Sequence, residues 1–366
     1  MQALILVGGE GTRLRPLTST VPKPVVPLVD RPFIAYMLEW LQNHGVDDVV
    51  LSCGFLASGV RNVLGDGTGL GIRLRYVEEP RPLGTAGALK YAERLLDESF
   101  LMLNGDVLTD IDVSAQREQH VQTGAKGTLA LVPVPDPSAY GLVRLNPDRS
   151  VREFVEKPSP DQIDTNLISA GVYVLDRAVL DMIPLDTNFS IERDVFPQLI
   201  GNGLYGHPTE GYWLDIGTPQ RYLQATFDIL ERDVKTAVGD RLGPAYVAIG
   251  TGVEAEGRVI PPAFVESNCR IGKGARVGSR AVLAAGVSVG ENTVVESAVV
   301  LQGAEIGRDC VLTACIIGAG ARIGDRCTIE GGVVLGEGVT LGEGNVLSAG
   351  ARLFPGVALP DNAIKF

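Results

Sequence analysis

From residue 2 to about residue 232, short apolar runs alternate with amphipathic stretches, the pattern of an α/β domain with a mainly parallel sheet. Residues 3–7, 48–52, 72–77 and 100–103 predict strands within this pattern. Residues 86–96 and 220–232 predict helices. A further helix follows Asp30, a residue able to cap it, with Ile34, Leu38 and Leu41 on one face and Met37 between them.

Beyond about residue 237 the helical period disappears, glycine becomes dense and aliphatic residues recur every six positions. Val265, Ile271, Val277, Leu283, Val289, Val295 and Leu301 keep one phase. After a slip near Ile306, the residues Ile317, Ile323, Ile329, Leu335, Leu341, Leu347, Leu353 and Leu359 keep another. A six-residue period supplies one flat face of a triangular coil, its aliphatic side chain pointing inward and small residues forming the corner. About five such coils would stack into a parallel β-helix; a glycine-rich β-sandwich is the alternative. The expected domains are residues 1–236, a linker over 237–250, and the coil over 251–366.

A chain of 366 residues with 45% hydrophobic content can build two cores. The net charge of −12 argues against a general polyanion binder, so any phosphate must meet local positive charge. The amino terminus lacks the flank and length of a signal peptide, and no run is long enough to span a membrane. Cys53, Cys269, Cys310, Cys315 and Cys327 show no CxxC spacing, which points to neither disulfides nor zinc and makes reducing cytoplasm the expected compartment. His44, His120 and His207 are scattered and read as structural or surface residues, so no histidine-based covalent step is expected.

The strongest motif follows the first strand: Gly8-Gly9-Glu10-Gly11-Thr12-Arg13-Leu14-Arg15-Pro16-Leu17-Thr18, then Pro22-Lys23-Pro24. Glycines let backbone N–H groups approach phosphate oxygens, and Arg13 and Lys23 add charge. Leu14 stands where a dinucleotide fingerprint needs its third glycine, and no GxxxxGK[ST] string occurs. The string resembles the signature of the sugar-1-phosphate nucleotidylyltransferases, the nucleotide-sugar pyrophosphorylases. Leu83-Gly84-Thr85-Ala86-Gly87, Asn104-Gly105-Asp106, Tyr140-Gly141, Glu156-Lys157-Pro158, Ala170-Gly171 and Trp213-Leu214-Asp215-Ile216-Gly217-Thr218-Pro219 continue the family's order.

The resemblance implies a Rossmann-like nucleotidyltransferase domain with a mainly parallel mixed sheet, followed by a left-handed β-helix of hexapeptide repeats. It implies that a sugar-phosphate oxygen attacks the nucleotide's α-phosphorus while pyrophosphate departs opposite. Arg13 and Lys23 would neutralise those phosphates as the catalytic residues. Leu6, Gly8, Gly9, Gly11, Thr12, Arg13, Glu79, Gly84 and Thr85 would bind the nucleotide. Tyr140, Gly141, Glu156, Lys157, Ser169 and Gly171 would bind the sugar phosphate, although Ser169 replaces a common asparagine. Asp106 and Asp215 would hold Mg²⁺ through hard oxygen ligands, while an aspartate beside a turn can equally be a backbone cap.

The 83–89 segment and the compact stretch from Lys23 to Pro32 resemble the mannose-1-phosphate guanylyltransferase branch. Glu79 stands five residues before Gly84, where relatives place a base-reading side chain. A carboxylate accepts two N–H groups from guanine but meets only one on thymine or uracil. This favours GTP with mannose 1-phosphate, if Glu79 points inward rather than forming a solvated pair with Glu78. Glucose 1-phosphate with dTTP or UTP is the alternative, and a non-catalytic nucleotide-sugar sensor is a second. Acyl transfer on the coil commonly needs a histidine base, and none follows His207. The coil is instead expected to stabilise a homo-oligomer.

Overall fold

A computed structural model describes residues 1–54 and 57–365. The chain divides into two compact units: Met1–Gly9 with Ile34–Trp213, and Glu10–Phe33 with the chain from Leu214 onward.

The first unit is built on a nine-stranded mixed sheet. Gln2–Leu6 lies between Asp48–Cys53 and Ser99–Asn104, parallel to both, and Arg73–Glu78 adds a further parallel strand. Leu167–Asp176 pairs antiparallel with Ser99–Asn104 and with Gly127–Pro133, which in turn carries Leu204–Pro208 in parallel. Gly141–Leu145 and Val151–Glu156 form an antiparallel pair at the edge. All four expected strands are present, displaced by about a residue at their ends. Ala3, Leu4 and Ile5 are fully buried, because a central parallel strand is covered on both faces and therefore reads as a continuous apolar run. Leu4, Leu89, Phe100, Met102, Tyr173 and Phe196 share the core. The helix expected over 86–96 is instead Gly84–Tyr91 followed by a 3₁₀ turn, Glu93–Leu95. Among the described residues, no helix is long and apolar enough to cross a membrane.

The second unit contains the 10–33 loop, the helix Pro219–Glu231 and a left-handed parallel β-helix. Thr218 caps that helix by accepting from the Arg221 N–H at 3.3 Å, and the buried Tyr222 hydroxyl donates to the Pro27 carbonyl. Three sheets of seven, seven and six short parallel strands form the faces of the coil, more rungs than the five coils expected. The first rung begins within the expected linker. Its residues hold the helix Ala237–Leu242 and the strand Val247–Ile249, which pairs with Ala263–Val265. The six-residue phase runs back from Val265 through Val259 and Val253 to Val247, so the coil's period already enters the segment expected as a linker.

The phase slip resolves into two five-residue spacings. The inward positions run Val295, Val300, Ile306, Leu312 and Ile317, so Val300 occupies the place the six-residue count assigned to Leu301. Ser297 and Ala314 lie at the two tightened corners with left-handed φ of 49° each. A corner one residue shorter keeps the aliphatic stack continuous while moving the outward residues by one position.

Candidate active site

In the first unit, the sheet's parallel strands deliver their carboxyl ends to the loops that carry the motifs, the usual ligand end of an open α/β sheet. Leu6 closes the first strand, and its carbonyl accepts from the Gly105 N–H at 2.9 Å. A Cβ on Gly105 would come within 2.4 Å of that carbonyl oxygen, so only glycine lets the backbone pass and present the half-buried Asp106. Gly8 packs on Gly54, and Gly9 is exposed beyond it.

Glu79 turns toward this loop while Glu78 is exposed. The Ser52 hydroxyl donates to Glu79 Oε1 at 3.1 Å and the Leu83 N–H donates to Oε2 at 3.3 Å. Burial raises the Glu79 pKa above the ordinary carboxylate value, and these two donors oppose the rise. Gly84 opens its helix at φ +73°, pressed against the Phe189 carbonyl. The Thr85 hydroxyl is engaged within the protein, donating to Glu192 Oε2 at 3.0 Å and accepting from the Ile191 N–H at 2.8 Å.

The motifs expected to bind the sugar phosphate lie on and beside the antiparallel strands of the same unit. Tyr140 stacks edge-on against Trp213 at 5.3 Å, and Trp213 Nε1 donates to the Ala170 carbonyl at 2.8 Å. A Cβ on Gly141 would meet Phe154 at 2.4 Å and Glu156 Oε2 at 3.2 Å. Lys157 holds a left-handed φ of 53°, secured by its N–H to the Tyr140 carbonyl at 3.0 Å. Between Ser169 and Tyr173 the strand register shifts, forming a bulge with Gly171 at φ +70° packed on the Asn104 side chain. Ser169 Oγ donates to the Tyr173 hydroxyl at 3.2 Å.

Glu192 escaped the sequence reading. It accepts from Thr85, from Ser190 Oγ at 2.9 Å and from the buried Tyr173 hydroxyl at 3.3 Å. Partial desolvation, followed by the Glu192 charge, raises the Glu156 pKa. The available signal was Ser190, four residues before Asp194 at the start of an apolar run. Asp194 accepts from the Ser190 N–H at 2.7 Å, and Ser190 accepts from the Arg193 N–H at 3.2 Å.

In the second unit, Gly11 has φ +63° and packs against the Lys23 and Thr18 side chains, with Thr18 Oγ1 donating to its carbonyl at 2.7 Å. Thr12 and Arg13, both exposed, begin the 3₁₀ turn Thr12–Leu14, whose Leu14 is buried. Arg13 and Asp215 approach the same face of Gly217. A Cβ there would lie 2.8 Å from Arg13 Nη2 and 3.2 Å from Asp215 Oδ2. Arg221 pairs with Asp215 Oδ1. The expected basic and acidic motif residues of this unit, Arg13 and Asp215, are thus neighbours.

The histidines make structural contacts: His44 with Ser114, His120 with Thr128 and His207 with Gln119. All five cysteines are buried free thiols.

The sequence pattern of the family described as Nucleotidyl transferase matches residues 2–232, and that described as GMPPB C-terminal domain matches residues 259–363. The chain is 36% identical to a mannose-1-phosphate guanylyltransferase of Mycobacterium tuberculosis, covering 100% of this chain and 98% of that one. It is 37% identical to a probable mannose-1-phosphate guanylyltransferase 1 of rice, Oryza sativa subsp. japonica, over 100% of this chain and 97% of that one. The crystal structure of HddC from Yersinia pseudotuberculosis complexed with GMP-PN shares 30% identity at a TM-score of 0.54, covering 61% of this chain and 97% of that one.

Proposed function

The chain belongs to the nucleotidyl transferase family, and on that premise we propose that it transfers a guanylyl group from GTP to mannose 1-phosphate, giving GDP-mannose and pyrophosphate. The observation that carries the choice of base is the Glu79 carboxylate, turned toward Gly8 and held by Ser52 and Leu83. Held in this way, it can accept both N–H groups of a guanine edge without first losing side-chain freedom. The mannose-1-phosphate guanylyltransferases matched along the whole chain support the same pairing.

In the proposed reaction the phosphate oxygen of mannose 1-phosphate forms a bond to the α-phosphorus as the bond to the β-phosphate oxygen breaks. The attacking oxygen is already anionic at neutral pH, so no residue need remove a proton from it. Backbone N–H groups at Gly8, Gly9, Gly11 and Thr12 and the charges of Arg13 and Lys23 take up the negative charge of the α-phosphate and the departing pyrophosphate. A fixed guanidinium of this kind contributes about 3 kcal/mol to the transition state. Lys157 neutralises the sugar phosphate, Glu156 accepts from sugar hydroxyls, and Gly141 lets the chain pass close to the sugar beside Tyr140. Ser169 and Gly171 complete the sugar side, with Leu6, Gly84 and Thr85 on the nucleotide side.

Nucleotidyl transferases generally use a divalent metal. Asp106 and Asp215 offer hard carboxylate oxygens, both half-buried, which suit Mg²⁺ in donor chemistry. When bound, Mg²⁺ supplies charge neutralisation on the phosphate oxygens. Buried thiols suit a reducing cytoplasm, and we place a homo-oligomer of these chains there.

The test is to incubate the protein and Mg²⁺ with each NTP against mannose 1-phosphate and glucose 1-phosphate, measuring pyrophosphate and identifying products by mass. GDP-mannose as the preferred product supports the reading. UDP- or dTDP-glucose would retain the reaction and reject the role of Glu79, whereas nucleotide binding without turnover would indicate a sensor.

A further inference from the structure

We propose that Arg352, on a late rung of the β-helix, is a positioning residue that sets the backbone of the phosphate loop. Its Nη1 donates to the Arg13 carbonyl at 3.1 Å and to the Arg15 carbonyl at 3.0 Å. Between those two carbonyls stands Leu14, whose side chain is 1% exposed. The turn bearing Arg13 is therefore fixed on one side by an apolar anchor and on the other by a guanidinium shared between two acceptors. A second tie lies on the preceding coil, where the Thr20 hydroxyl donates to Glu337 Oε2 at 2.9 Å. The two ties come from neighbouring layers: Val334 pairs with Arg352, and the Gly356 N–H donates to the Glu337 carbonyl at 2.9 Å.

Arg352 is suited to this task by its chemistry. A charged donor makes stronger hydrogen bonds to carbonyls than a neutral one, and the planar guanidinium keeps its direction where an ammonium on a flexible stem would not. Neither bond involves the Arg13 side chain, so its guanidinium remains available beside Gly217 and Asp215. The coil thereby acts on the chemistry without touching a reacting atom. Anything that shifts this rung, including a partner copy or a ligand on the coil, would shift the Arg13 backbone with it. This inference rests on the reading of Arg13 as a phosphate-binding residue; the contact itself does not.

The test compares the full-length wild type, Arg352→Ala and Arg352→Lys by steady-state kinetics, thermal melting and limited trypsin digestion with mass identification of the cut after Arg13. Arg352→Ala should lose about 10- to 100-fold in kcat, the scale of a small misplacement of a catalytic group. The KM for mannose 1-phosphate should stay within about twofold, since the loop acts on the transition state. Arg352→Lys should recover part of the loss, and the Arg13 cut should be several-fold faster in Arg352→Ala at an unchanged melting temperature. Unchanged kcat and unchanged cleavage would overturn the proposal. So would an equal loss of kcat in Arg322→Ala, an exposed arginine on another face of the coil, at an unchanged melting temperature. If the wild type turns over no substrate pair, the functional reading fails, and the cleavage rates alone decide whether Arg352 anchors the loop.

Discussion

Glu79 closes on Gly8: its Oε1 lies 3.5 Å from the point that a Cβ on Gly8 would occupy, and the carboxylate is held there by Ser52 and Leu83. Replacing Glu79 by Gln keeps the shape but exchanges one acceptor oxygen for a donor facing the guanine N–H pair. The kcat/KM for GTP should fall about 10- to 100-fold, with a smaller change for UTP and dTTP, as judged from parallel kinetics on the three nucleotides.

The raised pKa of Glu79 gives a pH signature. Only the ionised carboxylate accepts both guanine donors, so preference for GTP should decline as pH falls through that raised value, while Glu79→Gln stays flat. Stability moves the other way. The native state holds the proton more tightly than the unfolded chain, so stability from this group is full below the unfolded glutamate pKa and is lost as pH rises through the folded one. Urea titrations of the two proteins across that range should therefore show Gln gaining on Glu with rising pH.

Glu192 controls Glu156 through charge. Desolvation and then the Glu192 carboxylate hold the Glu156 pKa high, so Glu192→Gln should lower it. The acid limb of kcat/KM for mannose 1-phosphate should move to lower pH in the variant. An unmoved limb would show that Glu156 does not govern it.

Gly105 admits no side chain, because its Cβ would stand 2.4 Å from the Leu6 carbonyl oxygen, a backbone atom of a central strand. Gly105→Ala should cost about 1–3 kcal/mol by denaturant titration. It should also cost activity by displacing the adjacent Asp106.

Asp215, beside Arg13 and paired with Arg221, is the more informative metal test. Chelation should abolish turnover in the wild type. Asp215→Asn should raise the Mg²⁺ concentration for half-maximal activity by about tenfold or more, since it removes a charged ligand. Restoration of full activity without divalent ions would refute the assigned role.

The sequence determined both periodicities and the motif order, because these depend on local properties: which positions are apolar, where glycine interrupts a strand, and which charges follow it. The β-helix was legible from its hexads, and the strand-to-loop placement of Gly8 and Asp106 from short runs and turn formers. Only the tertiary structure decided what meets across sequence distance. That Val300 rather than Leu301 faces inward depends on the corner at Ser297, which omits one residue, and an omission in a repeat leaves no mark on the composition. Glu192 meets Thr85 across 107 positions and Tyr173 across 19, and Arg352 reaches the Arg13 carbonyl across 339 positions. Such contacts use ordinary residues at unremarkable positions, so the burial and hydrogen-bond geometry that give them meaning exist only once the chain has folded.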